Sequence, residues 1–322
     1  MRRKNVSYAK YGYIFSIPFV VAFLLFLLYP LVYTAVIGFT DLRGMGATEW
    51  NIMENPFENF ISVLNNNTFR VSMSNTFRIW IFNFIPQMLL ALLLTAWFTT
   101  RRHKFKGMGA FKVMFYMPNI ITAATIAILF NVFFQFPGGP INEILVNLGL
   151  REEPFNFLIS GNASQLIIAF IQFWMWYGYT MLILISGVLG QNPAMYEAAE
   201  IDGANGIQTF FLITIPNLRT ILLFLIVTSI VGGLNMFDIP RLFNEGMPDN
   251  ATSTVALFIF NQAFAGRFLF NTAAAASMIV FVIIVLVSIP VFFLLRDKDI
   301  AREKKERKAL AKSLKKEGGA KA

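Results

Sequence analysis

Six long apolar runs, separated by short polar segments, set the pattern of the chain. Each is long enough to supply the roughly 20 mostly apolar residues that a helix needs to cross a bilayer. The runs cover residues 13–39, 76–99, 113–135, 164–190, 219–239 and 271–295. They lack the alternation of a strand and are too long for barrel strands. The sequence therefore predicts an all-α, polytopic membrane protein with six transmembrane helices.

The charges between the runs predict an orientation. With the N-terminus placed inside, 21 of the 27 Lys and Arg residues fall in segments on that side, and basic residues favour the cytoplasmic side. We expect a cytoplasmic N-terminus 1–12, a transmembrane domain 13–295 and a basic tail 296–322 that is also cytoplasmic. The net charge of +9 follows from this topology, so no nucleic-acid partner is needed to explain it.

The composition excludes several kinds of site. Only 14% of the residues are charged, against roughly 25% in a soluble domain, which favours a lipid environment. The chain has no cysteine and a single histidine, His103, so it can build neither a thiolate or histidine metal site nor a Ser-His triad. It also lacks the Gly-Lys pair of a phosphate-binding loop. We expect no cofactor, no metal and no catalysis; any ATP would be bound by another subunit.

One internal loop, residues 191–218, departs from the charge rule. It lies on the predicted cytoplasmic side, yet its stretch 196–216 carries three acids and no Lys or Arg. Asn192-Pro193 predicts a helix start, and Gly203 suits the position after a helix end. Residues 207–215 then resume an apolar-rich helix ahead of the next span. The loop is either a surface offered to a partner protein or an interfacial helix with solvated acids.

The loop resembles the signature E-A-A-x3-G-x9-I-x-L-P of the membrane permease subunits of binding-protein-dependent ABC importers. The matching positions are Glu197, Ala198, Ala199, Gly203, Ile213 and Pro216, with Asp202 also typical and Ile215 replacing the usual leucine. The resemblance implies a coupling helix that docks into a cleft of a cytoplasmic ATPase subunit. It implies Glu197 as the polar contact, Ala198 and Ala199 as close-packing positions, and Gly203 as the turn.

The resemblance extends over nearly the whole chain, to the permeases of di- and oligosaccharide or glycerol-phosphate importers. Residues 115–134, 136–150 and 237–264 match that branch, although Glu245-Gly246-Met247-Pro248 stands where the family usually has G-G-P. It implies the transmembrane domain of a type I ABC importer in a bacterial inner or plasma membrane. The implied partners are a second homologous permease, two cytoplasmic ATPase subunits and an extracytoplasmic sugar-binding protein; the carried sugar stays open.

Candidate substrate contacts lie in the fourth and fifth runs. Gln172, Trp176 and Tyr179 fall on one helical face, and an amide beside aromatic rings is the chemistry that a sugar needs. The fifth run offers Ser229, Gly233 and Asn235. In the maltose permeases of the family, the sugar-contacting positions align near these residues and near Met175 and Met236. The alternative is that the rings and glycines serve helix packing or the membrane interface.

Two other classes of function compete with the importer permease. An intramembrane enzyme would need a paired acid–base or metal constellation within the runs, and the sequence offers none. A channel or secondary transporter would need intramembrane charges or inverted repeats, and neither is evident. Neither class explains an acidic helix on the inner face, so the importer permease is the favoured interpretation.

Overall fold

The structure, a computed structural model, describes residues 9–100 and 106–295. The predicted tail 296–322 and most of the N-terminal segment 1–12 lie outside the described residues. In chain order the α-helices are α1 (Ala9–Phe23), α2 (Tyr29–Ile37), α3 (Glu58–Asn65), α4 (Asn67–Thr99), α5 (Met108–Ile120), α6 (Ala123–Phe133), α7 (Pro140–Asn147), α8 (Gly161–Leu189), α9 (Pro193–Ile201), α10 (Gly206–Thr209), α11 (Ile215–Asn217), α12 (Arg219–Leu234), α13 (Asp238–Asn244), α14 (Val255–Phe264) and α15 (Phe270–Leu295).

The predicted all-α fold is confirmed. Across the described ranges, five helices are long and apolar enough to cross a membrane, and the bent pair α5 and α6 makes a sixth when counted as one span. Helix α4 begins at Asn67, well before the predicted start at residue 76. The fifth predicted run is divided between α12 and α13, which are separated by a short non-helical link.

The predicted third span is broken. Helices α5 and α6 meet at an angle of 86°. Pro118 does not cause the break, because it lies inside α5 and the helix continues past it to Ile120. Ile121 and Thr122 are extended, and the Thr122 hydroxyl accepts a hydrogen bond from the backbone N–H of Thr125 at 3.2 Å. Thr122 is thus the N-cap of a new helix, and this cap turns the chain where hydropathy alone predicts a straight span.

Two π-helical turns, Leu24–Leu28 and Phe210–Thr214, each lie just before a proline. In each, the residue after the turn donates its N–H to the carbonyl five residues back: Tyr29 to Leu24 and Ile215 to Phe210. Pro30 and Pro216 follow directly. A proline ring collides with the carbonyl four residues earlier in a regular helix, so the wider turn accommodates the ring while the helix continues.

The described residues divide into two compact units, one from those within 1–73 and 255–283 and the other from those within 74–254 and 284–322. The first unit is fastened by buried amides. The Asn59 side chain donates to the carbonyls of Gly38 and Thr40, both at 2.9 Å, and Asn271 donates to the Asn59 side-chain oxygen at 3.0 Å. Buried polar groups are stable only with such partners, so these bonds fix α3 and α15 against the segment that follows α2.

Two buried apolar clusters lie among the described residues of the second unit. The first joins α4, α6, α8 and α13 and includes Ile79, Ile168 and Phe243, each at most 1% exposed. The second joins the later parts of α4 and α8 to α12, around Met181, Leu184 and Leu218. Helix α8 contributes to both clusters, so it is the central helix of this unit.

Candidate functional site

The acidic loop begins with the predicted helix cap. The side-chain oxygen of Asn192 accepts a hydrogen bond from the backbone N–H of Ala194 at 3.0 Å, and Pro193 is the first residue of α9. A proline there has no N–H to leave unpaired, and its fixed φ angle suits the helix start. The predicted start of the helix is confirmed.

The end of α9 is also as predicted. Gly203 has a φ angle of +81°, and a Cβ there would meet nothing within 4 Å. The N–H of Ala204 bonds to the carbonyl of Ala199 at 2.9 Å, and the N–H of Gly203 bonds to that of Glu200 at 3.2 Å. These two bonds form a Schellman motif, so glycine is needed for its backbone conformation alone. Asp202 is the C-cap residue, between Ile201, the last residue of α9, and Gly203.

The second helix of the loop has a cap that the sequence reading missed. The Asn205 side chain accepts from the N–H of Gln208 at 2.9 Å, and the Gln208 side chain accepts from the N–H of Asn205 at 2.9 Å. This reciprocal pair is a capping box, whose signal is a capping residue followed three positions later by Glu or Gln. Helix α10 therefore starts at Gly206, and Pro216 lies in α11, just before α12.

A tyrosine joins the two halves of the loop. The hydroxyl of Tyr196, on α9, hydrogen-bonds to the side-chain oxygen of Gln191 and lies 3.3 Å from the buried Thr214 hydroxyl. Ala199, on the same helix, is 6% exposed, whereas Ala198 is exposed. Sequence reasoning did not single out Tyr196, although an aromatic residue beside exposed acids is a signal of a buried face.

The opposite face of the loop combines acids with large apolar side chains. Glu197, Glu200 and Asp202 are exposed, and two isoleucines beside them, Ile201 and Ile207, are 87% and 71% exposed. Sequence reasoning named the acids and missed the isoleucines. Exposed isoleucines next to carboxylates make a surface that offers both apolar area and charge to a partner.

Helix α8 presents the predicted aromatic face. Gln172 and Tyr179 are half-buried, Trp176 is 43% exposed, and the rings of Trp176 and Tyr179 meet edge to face at 5.8 Å. Met175 differs from them, because its side chain is 6% exposed within the first apolar cluster. Its backbone carbonyl accepts from the Asn119 side chain at 3.2 Å.

The predicted residues after Arg219 fall into three environments. Ser229 and Gly233, on α12, both contact Trp80 of α4. Asn235 is exposed and donates to the carbonyl of Val231, one turn earlier, at 2.8 Å. Met236 is 5% exposed within the first apolar cluster, and its carbonyl accepts from Thr254 at 2.6 Å. Met175, Gly233 and Met236 are thus buried, and the other predicted residues are partly buried or exposed.

Helix α4 carries polar residues that the sequence reading missed. Asn83 and Gln87 are buried in the middle of this apolar helix, and the Gln87 amide donates to the Thr180 hydroxyl of α8 at 2.7 Å. Their signal in the sequence is simple, because an amide within a spanning helix faces the protein interior. Trp80, one turn before Asn83, had no such signal. Helix α4 therefore belongs to the candidate pathway together with α8 and α12.

Within residues 9–100 and 106–295 there is no group of three or more His, Cys, Asp or Glu side chains that could hold a metal ion. What the described residues offer is of two kinds. One is the acidic and apolar surface of the loop, and the other is the aromatic and amide-bearing face of α8 beside α4 and α12. The first suits protein contacts and the second suits a polar solute with apolar faces.

Comparison with known proteins gives a consistent result. Residues 60–299 match the family described as binding-protein-dependent transport system inner membrane component. The lactose transport system permease protein of Rhizobium radiobacter is 27% identical over 289 residues, which are 89% of this chain and 94% of that protein. The arabinooligosaccharides transport system permease protein of Bacillus subtilis (strain 168) is 27% identical over 290 residues, 89% of each chain.

A solved structure shares the fold. In the crystal structure of a bacterial alginate ABC transporter in complex with an alginate pentasaccharide-bound periplasmic protein, one chain superposes with a TM-score of 0.73 at 21% identity. The match covers 88% of this chain and 93% of that chain. The family match includes both the loop and the helices α4, α8 and α12. It identifies a transport component rather than an enzyme, and the chain belongs to the family of binding-protein-dependent transport system inner membrane components.

Proposed function

We propose that the chain is the membrane-spanning permease subunit of an ATP-driven ABC importer, and that it forms part of the translocation pathway for an oligosaccharide. A binding protein outside the membrane delivers the sugar. A cytoplasmic ATPase drives transport through the loop 191–218. The rigid, capped loop with its exposed acidic and apolar face is the single observation that supports this proposal most.

The loop supports a coupling role because it is built as one body. Two caps and the Schellman motif define its helices, and Tyr196 joins α9 to the segment before Pro216. A force applied to α9 is therefore passed to α12 through packed and hydrogen-bonded groups rather than absorbed by a soft linker. The exposed Glu197 can meet Arg or Lys on the partner, while Ile201 fills an apolar part of the same cleft.

The face of α8 supports a sugar as the transported molecule. Sugars present hydroxyls at their edges and apolar C–H groups on their faces, and this face offers the Gln172 amide beside two aromatic rings. The relatives named above transport lactose and arabinooligosaccharides, and the solved relative is a transporter of alginate. A saccharide of two or more units is the substrate class that fits both observations.

The importer we propose contains a second homologous permease, two ATPase subunits and the sugar-binding protein. The chain crosses a bacterial inner or plasma membrane with both termini in the cytoplasm. Its segments are the N-terminus 1–12, the membrane domain 13–295 and the basic tail 296–322. The concentration of Lys and Arg on one side supports this orientation, and the acids of the loop then lie on that side for the ATPase.

The coupling role is tested in the complete importer, assembled in liposomes with its binding protein. Glu197→Lys reverses the charge of the proposed contact. Gly203→Pro removes an N–H of the Schellman motif and forbids the φ angle of +81°. We expect both to abolish uptake of radiolabelled lactose or arabinotriose and to uncouple or abolish the ATP hydrolysis that the binding protein stimulates.

Two matched variants serve as controls. Gly206→Pro places the same residue three positions later, at the first position of α10 after an extended Asn205, where proline is tolerated. Glu143→Lys makes the same charge change on the exposed surface of α7. Both controls should retain uptake. Uptake that persists unchanged in Glu197→Lys and Gly203→Pro would refute the coupling role.

A further inference from the structure

Trp80 makes a close contact across the interior of the second unit. Its indole N–H donates to the Ser229 hydroxyl at 3.0 Å, although the two residues are 149 positions apart. Its ring also stacks on that of Phe84, one turn later in α4, with centroids 5.3 Å apart and planes 13° apart. One side chain of α4 therefore covers a hydroxyl of α12 that is a candidate sugar contact.

Gly233 provides the space for this contact. A Cβ built at Gly233 would lie 2.2 Å from Cδ1 and 2.8 Å from Cγ of Trp80, and 3.0 Å from its nitrogen. The five-membered ring thus rests against the backbone of Gly233, one turn after Ser229. The φ angle of Gly233 is not positive, so the contact with the indole, and not the backbone conformation, is what requires glycine here.

The same two residues are the ones that a sugar would use on α12. Ser229 has one donor and two acceptor sites, and the gap above Gly233 admits a flat group. In this structure the indole takes an acceptor site of Ser229 and fills the gap. An indole N–H and an aromatic face imitate a sugar hydroxyl and its apolar face, so Trp80 occupies the position as a substrate would.

We propose that Trp80 is a specificity-determining residue of the pathway, a latch that holds the Ser229–Gly233 site closed and that an incoming saccharide must displace. This inference rests on the proposed function. The sugar takes over the hydrogen bond to Ser229, and the indole moves off Gly233. A solute that cannot replace both contacts leaves the latch closed, so the latch favours saccharides over smaller polyols.

The transport test compares three variants in the complete importer. Trp80→Ala removes the latch, Gly233→Ala expels the indole while keeping Trp80, and Trp80→Phe keeps a ring without the N–H. Because Trp80→Ala removes the indole that competes with the sugar, we expect the apparent KM for lactose or arabinotriose to fall about threefold or more. This change corresponds to the loss of one interhelical contact. Gly233→Ala should not lower the KM, because its Cβ fills the gap that the sugar also needs. Trp80→Phe should fall between the unaltered protein and Trp80→Ala, and glycerol uptake should rise with Trp80→Ala.

A chemical test does not depend on transport. The chain has no cysteine, so Ser229→Cys or Asn235→Cys introduces a single thiol for a water-soluble methanethiosulfonate reagent. In the nucleotide-free importer, Trp80→Ala should speed labelling at position 229 about tenfold and leave labelling at position 235 unchanged. Lactose or arabinotriose should then slow labelling at 229. Gly232→Ala, where a Cβ meets nothing within 4 Å, should change neither labelling nor uptake.

The outcomes separate the latch from the proposed function. Labelling at position 229 that is equally fast with and without Trp80→Ala overturns the latch, even where uptake is normal. Faster labelling without sugar protection or a change in KM shows a packing contact only and also overturns it. Failure of the unaltered importer to take up any saccharide refutes the proposed function instead. The yield of intact complex after gel filtration shows whether each variant folds.

Discussion

The loop 191–218 and the packing of α4, α8 and α12 are stabilised in opposite ways. In the loop, the bonds that define the helices join residues two to five positions apart, as in the caps at Asn192 and Asn205. Between the long helices, the bonds that matter join residues 93 and 149 positions apart. The loop is therefore determined by local sequence and the proposed pathway by tertiary contact, and a mutation should act differently in each.

The largest expected effect tests the packed region. A Cβ at Gly178 of α8 would lie 2.1 Å from the carbonyl oxygen of Phe115 in α5. Since the obstacle is backbone, Gly178→Ala must push the two helices apart. We expect destabilisation of about 3 kcal/mol, the upper part of the range for overpacking, seen as loss of intact complex and a lower thermal unfolding midpoint in detergent.

Gly187→Ala is the control on the same helix. There the Cβ would meet the ends of the Ile221 and Leu218 side chains, the closest at 2.2 Å, and such atoms can rotate away. Its cost should be clearly smaller, about 1 kcal/mol. Equal losses from both substitutions would mean that the contact between α5 and α8 is not the rigid one that the structure shows.

The second effect tests the local region. Gly203→Ala has free space around it, so its cost comes only from the φ angle of +81°, about 1–2 kcal/mol for a residue with a side chain. Opening of the Schellman turn should become roughly 5- to 30-fold more frequent. Amide hydrogen exchange of the peptide covering 199–206 would report it through the Ala204 N–H.

Gly206→Ala offers the matched comparison for that effect. A Cβ at Gly206 would also meet nothing within 4 Å, but the φ angle of Gly206 is ordinary, and alanine is the better helix residue. Exchange in the same peptide should stay unchanged. If both substitutions speed exchange alike, the loop is held by contacts beyond its own sequence.

How much the sequence could predict follows the same division. The start of α9 can be predicted from Asn192 and Pro193, and its end from Gly203. A helix cap and a left-handed position each depend on the residue that occupies them. The six spans follow from hydropathy alone. The 86° break between α5 and α6 does not, because the Thr122 cap lies within an apolar run. The predicted fifth run also missed the non-helical link between α12 and α13, which lies inside that run.

The contacts between the helices of the proposed pathway could not be predicted from a single sequence. Ser229 and Gly233 are candidate sugar contacts by sequence, and nothing near them in the sequence indicates that Trp80 covers both. Met175 and Met236 lie in the core because of which helices pack beside them. A buried role for Gln87 could have been predicted, because its amide lies in an apolar helix. Its partner Thr180 could not, because that pairing depends on the register between α4 and α8.

A third effect, of similar size, tests the register between α4 and α8. The Gln87 amide donates to the Thr180 hydroxyl, which itself donates to the Trp176 carbonyl at 3.1 Å. Thr180→Val leaves a buried amide without its acceptor and should cost about 1–2 kcal/mol. Gln87→Leu leaves Thr180 still bonded and should cost about 0.6 kcal/mol, the average for hydrogen bonds between membrane helices.

The double-mutant cycle makes this test quantitative. With both residues apolar, no polar group is left unpaired, so Gln87→Leu should rescue much of the loss in Thr180→Val. Thermal unfolding of the purified complex measures all four proteins. Additive losses would show that the two side chains do not interact, and the register of α4 on α8 would have to be revised.

The smallest expected effect tests another position whose backbone conformation is set by the local sequence, Glu245 at the end of α13. Glu245 has a φ angle of 56°, the left-handed conformation that Gly203 has after α9. Glu245→Gly should therefore stabilise the protein by about 0.5–1 kcal/mol, because relief of the left-handed strain exceeds the added chain entropy.

Glu245→Ala separates backbone from charge in that last case. Both substitutions remove the ion pair with Arg241, whose atoms are 3.8 Å apart on an exposed surface and which contributes little, but alanine retains the Cβ and its strain. We expect the thermal unfolding midpoint to rise with Glu245→Gly and not to rise with Glu245→Ala. Equal midpoints for Glu245→Gly and Glu245→Ala would mean that tertiary contacts hold the turn after α13. A left-handed residue at a helix end would then not by itself mark a locally determined segment.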